Sequence, residues 1–330
     1  MKAAIVGAGA IGGWMAGLLA DAGWEVSLFA RGTTLARLKA QGLCVRRGRN
    51  ETTYRFAVSS NPEDLPRPGY VIVAVKGQSV PAVAPAVAAL CGSETVVVPA
   101  LNGVPWWFFQ VPGVPLSGTR LESVDPDGAV SGAIAFARVL GCVVHASAWT
   151  PEPGVVEVNK TDSLIFGEPD GKTSARCAAL CAAFEGSEVR PVASERIRHD
   201  IWTKLWGNMS MNPLSVLARA ETATLLADPD VRGLIARLML EMQGLGNRIG
   251  LPIGMTPEER MALTARLGSF KTSMLRDAEA GRPLEIDPLL GAVVEIADRL
   301  GEDVPFMRGV LGLLRLHAQA IAARSRATGL

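Results

Sequence analysis

Hydrophobic positions in the first part of the chain gather into short β-rich runs: AAIVGA (3–8), EVSLFA (25–30), YVIVAV (70–75), ETVVVPA (94–100) and VLGCVVHAS (139–147). Between them lie helical patterns such as GGWMAGLLADAG and TTLARLKAQG, each closing on a glycine suited to a helix C-terminus. Strands alternating with helices in this way predict a parallel sheet covered by helices on both faces. After about residue 196 the apolar spacing becomes helical throughout, over 198–219, 229–250, 257–280, 286–300 and 304–324, with Pro and Gly between the segments. The expected fold class is therefore α/β: a doubly wound parallel sheet over 1–196 followed by an all-helical C-terminal domain over 197–330. The ERIRHD segment (195–200) is the expected hinge.

Composition narrows the function classes. The 330 residues are 48% hydrophobic and 20% charged, and 33 basic against 32 acidic residues leave a net charge of +1. No whole-chain field points to a nucleic acid or a membrane surface, so small ligands remain. The five cysteines include no C-x-x-C pair, and the histidines at 145, 199 and 317 are scattered, so no metal site is expected. The chain opens straight into a strand pattern and contains no apolar run of membrane-spanning length, which predicts a soluble, cytoplasmic protein.

Gly7-Ala8-Gly9-Ala10-Ile11-Gly12 follows the first strand and opens the first helix, the context that a dinucleotide-binding G-x-G-x-x-G requires. Gly7 would make the tight turn, Gly9 would let the backbone approach a pyrophosphate, and Gly12 would let helix pack on strand. The phosphates would sit at the helix N-terminus, among free N–H groups. The first domain thus reads as a Rossmann-type nucleotide-binding domain. Its second strand ends in Arg31 rather than in a carboxylate, which favours the 2′-phosphate of NADPH/NADP+ over the ribose hydroxyls of NAD, although a solvated loop arginine would look the same. Lys76, directly after the third strand, is placed to reach the same phosphates or to stand solvated.

In the stretch KLWGNMSMN (204–212), Lys204, Asn208 and Asn212 recur every four residues among Trp, Leu and Met. Steps of four advance roughly 40° around a helix and 6 Å along it, so the three form one polar stripe. Pro213 is expected to kink or interrupt the helix beyond it. A solvent-facing row is the plain alternative, but asparagine is a middling helix former and a solvated face would favour Glu, Lys or Gln. A second constellation, Ser273, Asp277 and Glu285, flanks a break at Gly281-Arg282-Pro283.

GAGAIG at the start, VKGQ after a strand, LNG at 101–103, KLxxNxxxNP at 204–213 and TSMLxDxxxGxPxEID at 272–287 together resemble the ketopantoate reductase (2-dehydropantoate 2-reductase) family across nearly the whole chain. The resemblance implies a Rossmann domain that binds NADPH, a helical domain that closes over it, and a 2-oxo acid, ketopantoate, reduced in the cleft as part of pantothenate biosynthesis. Lys204 would be the proton donor, with Glu285 beside it and also contacting the cofactor. Asn208 and Asn212 would bind substrate, Ser273 would hold its carboxylate, and Asn102 would contact the cofactor. Thr222 stands where some members place a further substrate-binding asparagine.

The segment after Asn102 looks longer than the compact family pattern and carries four consecutive aromatics, Trp106, Trp107, Phe108 and Phe109. Packing or a subunit interface would explain such a cluster. Placed as a lid on the cleft, it would instead admit a bulkier 2-oxo acid. A relative acting on another 2-oxo or 2-hydroxy acid, and a protein that senses NADP(H) without turnover, are the alternative functions. A homodimer is compatible with apolar helical segments such as VRGLIARLMLEM.

Overall fold

The computed structural model describes residues 1–328, with side chains to residue 321. The N-terminal half runs β1 (Lys2–Val6), α1 (Ala10–Asp21), β2 (Glu25–Phe29), α2 (Gly32–Gln41), β3 (Leu43–Arg47), β4 (Asn50–Tyr54), β5 (Ala57–Ser59), β6 (Tyr70–Val73), α3 (Val80–Leu90), β7 (Val96–Pro99), α4 (Ala129–Ala133), β8 (Gly141–Trp149), β9 (Val155–Gly167), α5 (Ala175–Ala182) and β10 (Arg190–Ala193). Five strands form a wholly parallel sheet in the order β5-β2-β1-β6-β7. Its strands alternate faces residue by residue. Ala4, Val6, Val71, Val73 and Val97 pack in one core with α3, whereas Ala3, Ile5, Ile72 and Val98 pack in the other with α1. Helices on both faces are what a buried parallel sheet needs, and the chain crosses from one side of β1 to the other between β2 and β6.

A second sheet was not foreseen. β9 pairs in parallel with β3 near its start and with β10 near its end, and antiparallel with β8, while β3 and β4 form a hairpin. β8 and β9 slip register after His145 and again after Ser147. Such irregularities re-aim side chains at sheet edges and beside active sites.

The all-helical half begins at Ile197 with α6 (Ile197–Ala218), then α7 (Thr222–Ala227), α8 (Pro229–Arg248), α9 (Pro257–Arg266), α10 (Ser273–Glu279), a π turn at Asp287–Gly291, α11 (Ala292–Leu300) and α12 (Pro305–Thr328). Local chemistry sets these ends. Asp228 caps α8 with Pro229 in its first turn, Thr256 and Glu259 form a reciprocal capping box on α9, and Thr272 caps α10. The carboxylate of Glu241 on α8 accepts the Phe306 and Met307 N–H groups, so one helix caps another.

Three expectations need correction. The helix expected over 257–280 is two helices, because Gly268, at φ +78°, follows the end of α9. α6 runs on through Pro213 to Ala218 rather than breaking there, since packing against α8, α10 and α12 outweighs the one backbone hydrogen bond that proline removes. The aromatic quartet is no lid: Trp106, Trp107, Phe108 and Phe109 are at most 3% exposed. Phe108 stacks on Trp202 of α6 at 6.1 Å and meets Phe109 edge-on at 5.2 Å. The Arg198 guanidinium lies 4.8 Å from the Phe108 ring and donates to the Phe108 carbonyl at 2.9 Å. The long segment after β7 therefore fills the core shared by the sheet and the helices.

The two halves meet at the π turn. Pro288 enters between the loops that follow β6 and β7: its carbonyl accepts the Val104 N–H at 2.9 Å, and a Cβ at Gly77 would stand 2.6 Å from its Cγ. Gly103, at φ +86°, is held closer still, a Cβ there lying 2.5 Å from the Pro288 carbonyl carbon. Gly113 has a similar φ of +79° with open space around it. Gly113→Ala is therefore expected to lose only the backbone cost of a left-handed alanine, about 1–2 kcal/mol, and Gly103→Ala clearly more in the same urea titration. Equal losses would mean that the Pro288 contact contributes nothing.

Candidate active site

Strand register decides what gathers at the top of the parallel sheet. Val6 pairs with Phe29 and Val73, and Val73 with Pro99, so β2, β1, β6 and β7 end in one row. Gly7, Arg31, Lys76 and Asn102 follow within three residues of that row, at the carboxyl edge where open α/β sheets bind ligands. The three motif glycines meet three different demands. Gly7 takes φ +101° with Val75 crowding its Cα, a Cβ on Gly12 would collide with the Gly7 carbonyl, and a Cβ on Gly9 would meet nothing within 4 Å. Gly9 is the N-cap of α1, with no side-chain cap and no acidic residue in the first turn. An uncapped, positive helix end facing open space suits a diphosphate. Ala8 is buried, while Ala10 and Ile11 are part-exposed in the first turn. Arg31 is exposed at the N-cap of α2, its guanidinium 5.1 Å above the Phe29 ring. These residues fit a dinucleotide.

Opposite the strand ends, α6 brings Lys204 into the cleft. Its ammonium donates to Asn102 Oδ1 at 2.8 Å and to the Val144 carbonyl at 2.7 Å. Both acceptors are neutral. Burial consequently lowers the Lys204 pKa to about 8, with Cys142 and then the charge of Glu285 acting in the opposite direction. Asn208, Gly103 and Cys142 line the same narrow cleft. Burial pushes the Cys142 thiol up to about 12, which keeps it a thiol.

Glu285 does not touch Lys204. Its carboxylate accepts the Gly77 N–H at 3.0 Å and a bond from Lys76 Nζ at 3.3 Å. Lys76 also donates to Asp277 at 2.6 Å, and Arg282 donates to the other oxygen of Asp277 at 2.9 Å. Both carboxylates are only 5% exposed, so this network pairs two buried negative charges. The lysine expected at the phosphates is thus held by the helical half, and the glutamate expected at Lys204 is held by Lys76.

The remaining expected residues lie on α6, α7 and α10. Asn212 is buried a turn beyond Asn208. Ser273 is exposed at the start of α10, next to Thr272, whose hydroxyl is 2.6 Å from that of Ser215. Thr222 does not join the cleft. It is 1% exposed, its N–H donates to the Phe270 carbonyl, and its hydroxyl is used by the Gly268 and Phe270 backbone. That bonding makes it a clamp on the loop between α9 and α10.

Sequence reasoning missed two participants. Val144 contributes only a carbonyl, which no side-chain pattern reveals. The neighbouring His145 has its pKa lowered by burial and then by the charge of Lys204. A broader depression lined by Trp24, Tyr54, Phe56 and Pro66 lies at the β2 edge and contains none of these groups. Among the described residues, no cluster of His, Cys, Asp and Glu could hold a metal, and no helix is long and apolar enough to cross a membrane.

Comparison with known proteins places this geometry. The family profiles "Ketopantoate reductase PanE/ApbA" and "Ketopantoate reductase PanE/ApbA C terminal" match residues 3–105 and 196–318. A 2-dehydropantoate 2-reductase of Mesorhizobium japonicum is 38% identical over 96% of this chain and 97% of its own. The crystal structure of a protein from Ralstonia solanacearum MolK2, provisionally named a ketopantoate reductase, superposes with a TM-score of 0.93 at 44% identity, covering 97% of this chain and 98% of that one. A D-mandelate dehydrogenase solved with NADH and anilino(oxo)acetate shares the fold, with a TM-score of 0.84 at 18% identity over 98% of this chain and 100% of that one. Profiles over both halves and a relative aligned along nearly its whole length lead to one conclusion: the chain is an oxidoreductase that belongs to the ketopantoate reductase family.

Proposed function

We propose that the protein reduces 2-dehydropantoate to pantoate, with NADPH as reductant and Lys204 as proton donor. The observation that carries this reading is the state of Lys204: two of its three N–H donors are held by Asn102 and Val144, and burial brings its pKa to about 8. The third donor is left for a substrate oxygen. NADPH, when bound, supplies the hydride. As the keto oxygen gains negative charge, the ammonium stabilises it and then gives up a proton, leaving a neutral amine that solvent reprotonates. A pKa near working pH suits a group that must both hold and release a proton.

Asn208 and Asn212 on α6 and Ser273 at the start of α10 supply neutral donors and acceptors for the remaining substrate oxygens. Arg31 supports NADPH over NADH because it stands exposed at the β2 end, where a 2′-phosphate would lie. The aromatic quartet lends no support to a bulkier acid, since all four rings are spent in the core.

Initial rates of NADPH oxidation with 2-dehydropantoate, beside NADH and a bulky aromatic 2-oxo acid, test the assignment directly. Poor turnover of 2-dehydropantoate with good turnover of the larger acid would overturn the substrate but keep the mechanism. Lys204→Ala is expected to lower kcat by about 10²–10⁴-fold with the NADPH Kd unchanged in a fluorescence titration. Arg31→Ala should raise KM for NADPH by about 10–100-fold and leave that for NADH unmoved.

The pH dependence follows from the same lysine. Catalysis needs the ammonium, so kcat/KM should be flat below about pH 8 and fall above it. Stability moves the other way. Between about 8 and the ordinary lysine value of 10.5 the folded state binds fewer protons at Lys204 than the unfolded chain, so this group's contribution to stability rises with pH across that window. A kcat/KM profile that shows no break between pH 7 and 9 would remove Lys204 as the acid.

A further inference from the structure

Asp277 and Arg282 take no part in the proton transfer, yet they govern the cation beside the nucleotide loop. Lys76 follows Val75, whose Cγ1 and backbone N would stand 2.7 and 2.8 Å from a Cβ on Gly7. The lysine is therefore rooted against the turn that opens the G-x-G-x-x-G motif, where the pyrophosphate of a dinucleotide lies. Its ammonium is nonetheless held by the helical half. It donates to Asp277 Oδ2 at 2.6 Å and, over a longer 3.3 Å, to Glu285. The lysine side chain is part-exposed, whereas both carboxylates are buried.

Each carboxylate has a second partner that does not depend on Lys76. Asp277 Oδ1 accepts from Arg282 Nε at 2.9 Å, and the Arg282 backbone N–H donates to the Asp277 carbonyl at 2.8 Å, which ties the arginine to the same turn. Glu285 Oε1 accepts the Gly77 N–H at 3.0 Å. The loop itself stays docked through Gly77 against Pro288 and through the bond from Gln78 Nε2 to the Pro283 carbonyl at 3.4 Å. Breaking a buried ion pair is costly because it leaves one charge unpaired. Here the lysine can leave without orphaning either carboxylate or undocking the two halves. Among the described residues, Asp277 is the one side chain to which Arg282 donates.

Resting on the reading of the first domain as a dinucleotide site, we propose that Arg282 is a positioning residue for cofactor binding: by holding Asp277, it frees Lys76 to exchange its short bond to that carboxylate for the cofactor's pyrophosphate. The arginine acts through Asp277 and Lys76, not on the cofactor. Without Arg282, Asp277 depends on Lys76 alone and grips it harder. Without the Asp277 charge, the lysine is released whether or not the arginine is present. Glu285 keeps the Gly77 N–H in either case.

The test compares dissociation constants for NADPH and NADH, from fluorescence titration without substrate, among the wild type, Arg282→Gln, Arg282→Lys, Asp277→Asn and the Asp277→Asn/Arg282→Gln double variant, all checked for unaltered thermal unfolding. Arg282→Gln should raise both constants about 5–10-fold, a modest effect because the arginine is half-exposed. Arg282→Lys, which can still donate to Asp277, should recover most of the loss. Asp277→Asn should lower both constants, and in that background Arg282→Gln should change nothing further. Both dinucleotides carry the pyrophosphate, so both respond, in contrast to Arg31→Ala. An effect of Arg282→Gln that persists beside Asp277→Asn would mean that the arginine meets the cofactor directly and would overturn the proposal, as would an effect on NADPH alone. Acetylation of Lys76 by a pulse of acetyl N-hydroxysuccinimide ester, read by peptide mass spectrometry on the cofactor-free protein, separates this coupling from the cofactor assignment. If neither dinucleotide binds the wild type, that assignment fails by itself. Labelling fastest in Asp277→Asn and slowest in Arg282→Gln still establishes the hold of Arg282 on Lys76, whereas equal labelling in all three refutes it.

Discussion

The insertion of Glu285 and Pro288 into the strand-end loops is the contact on which the rest of the site depends. Glu285 closes on the Gly77 N–H and Lys76, and Pro288 fills the space that Gly77 and Gly103 leave open. Neither part is dispensable. A carboxylate buried to this degree is unfavourable unless its oxygens are bonded, and a proline wedge holds two loops only if neither carries a Cβ in its way. Once this contact is made, α6 stands at a fixed height above the sheet, and Lys204 reaches Asn102 and the Val144 carbonyl together. The lysine is desolvated because the halves are closed, and they are closed because residues distant in sequence from the lysine dock them.

Legibility in the sequence followed from whether a requirement was local. The nucleotide end was readable because the motif is local: Gly7 and Gly12 meet backbone demands within six residues that no side chain would satisfy, and Gly9 leaves the helix end open. The polar stripe on α6 was readable because helical periodicity carries it. The second sheet was not: β3 and β4 read LCVRR and NETTY, half-exposed and charged, and their sheet is completed by β9 and β10, far along the chain. No short-range pattern announces such a pairing. The aromatic quartet misled for a related reason. It follows directly on a strand that ends at the ligand crevice, but the chain turns at Gly103 and carries the rings into the core shared with α6 and α8.

Charge partners were the least legible feature. Lys76, Asp277 and Glu285 were all recognised as chemistry-bearing residues, yet nothing local says that the glutamate meets Lys76 and not Lys204. Thr222 shows the converse: a hydroxyl at a position that resemblance marks for substrate is consumed by the Gly268 and Phe270 backbone. A residue type states what bonds are possible, and only the tertiary arrangement states which are already made.

The choice of partners also bears on the proposed role of Lys204 as an acid near neutral pH. Had Glu285 bonded Lys204 directly, the charge pair would have stabilised the ammonium and raised its pKa, making proton release harder. Lys76 and the Gly77 N–H hold Glu285 instead, leaving Lys204 with two neutral acceptors. Neutral acceptors orient the ammonium without stabilising its charge enough to offset desolvation, so the pKa falls to about 8. The strand-end lysine therefore sequesters the nearby glutamate, which under the proposed mechanism keeps Lys204 a willing donor. The same pairing neutralises buried negative charge beside the cleft in which the proposed anionic substrate would bind. One network between the two halves thus positions Lys204 and leaves it without a direct carboxylate partner.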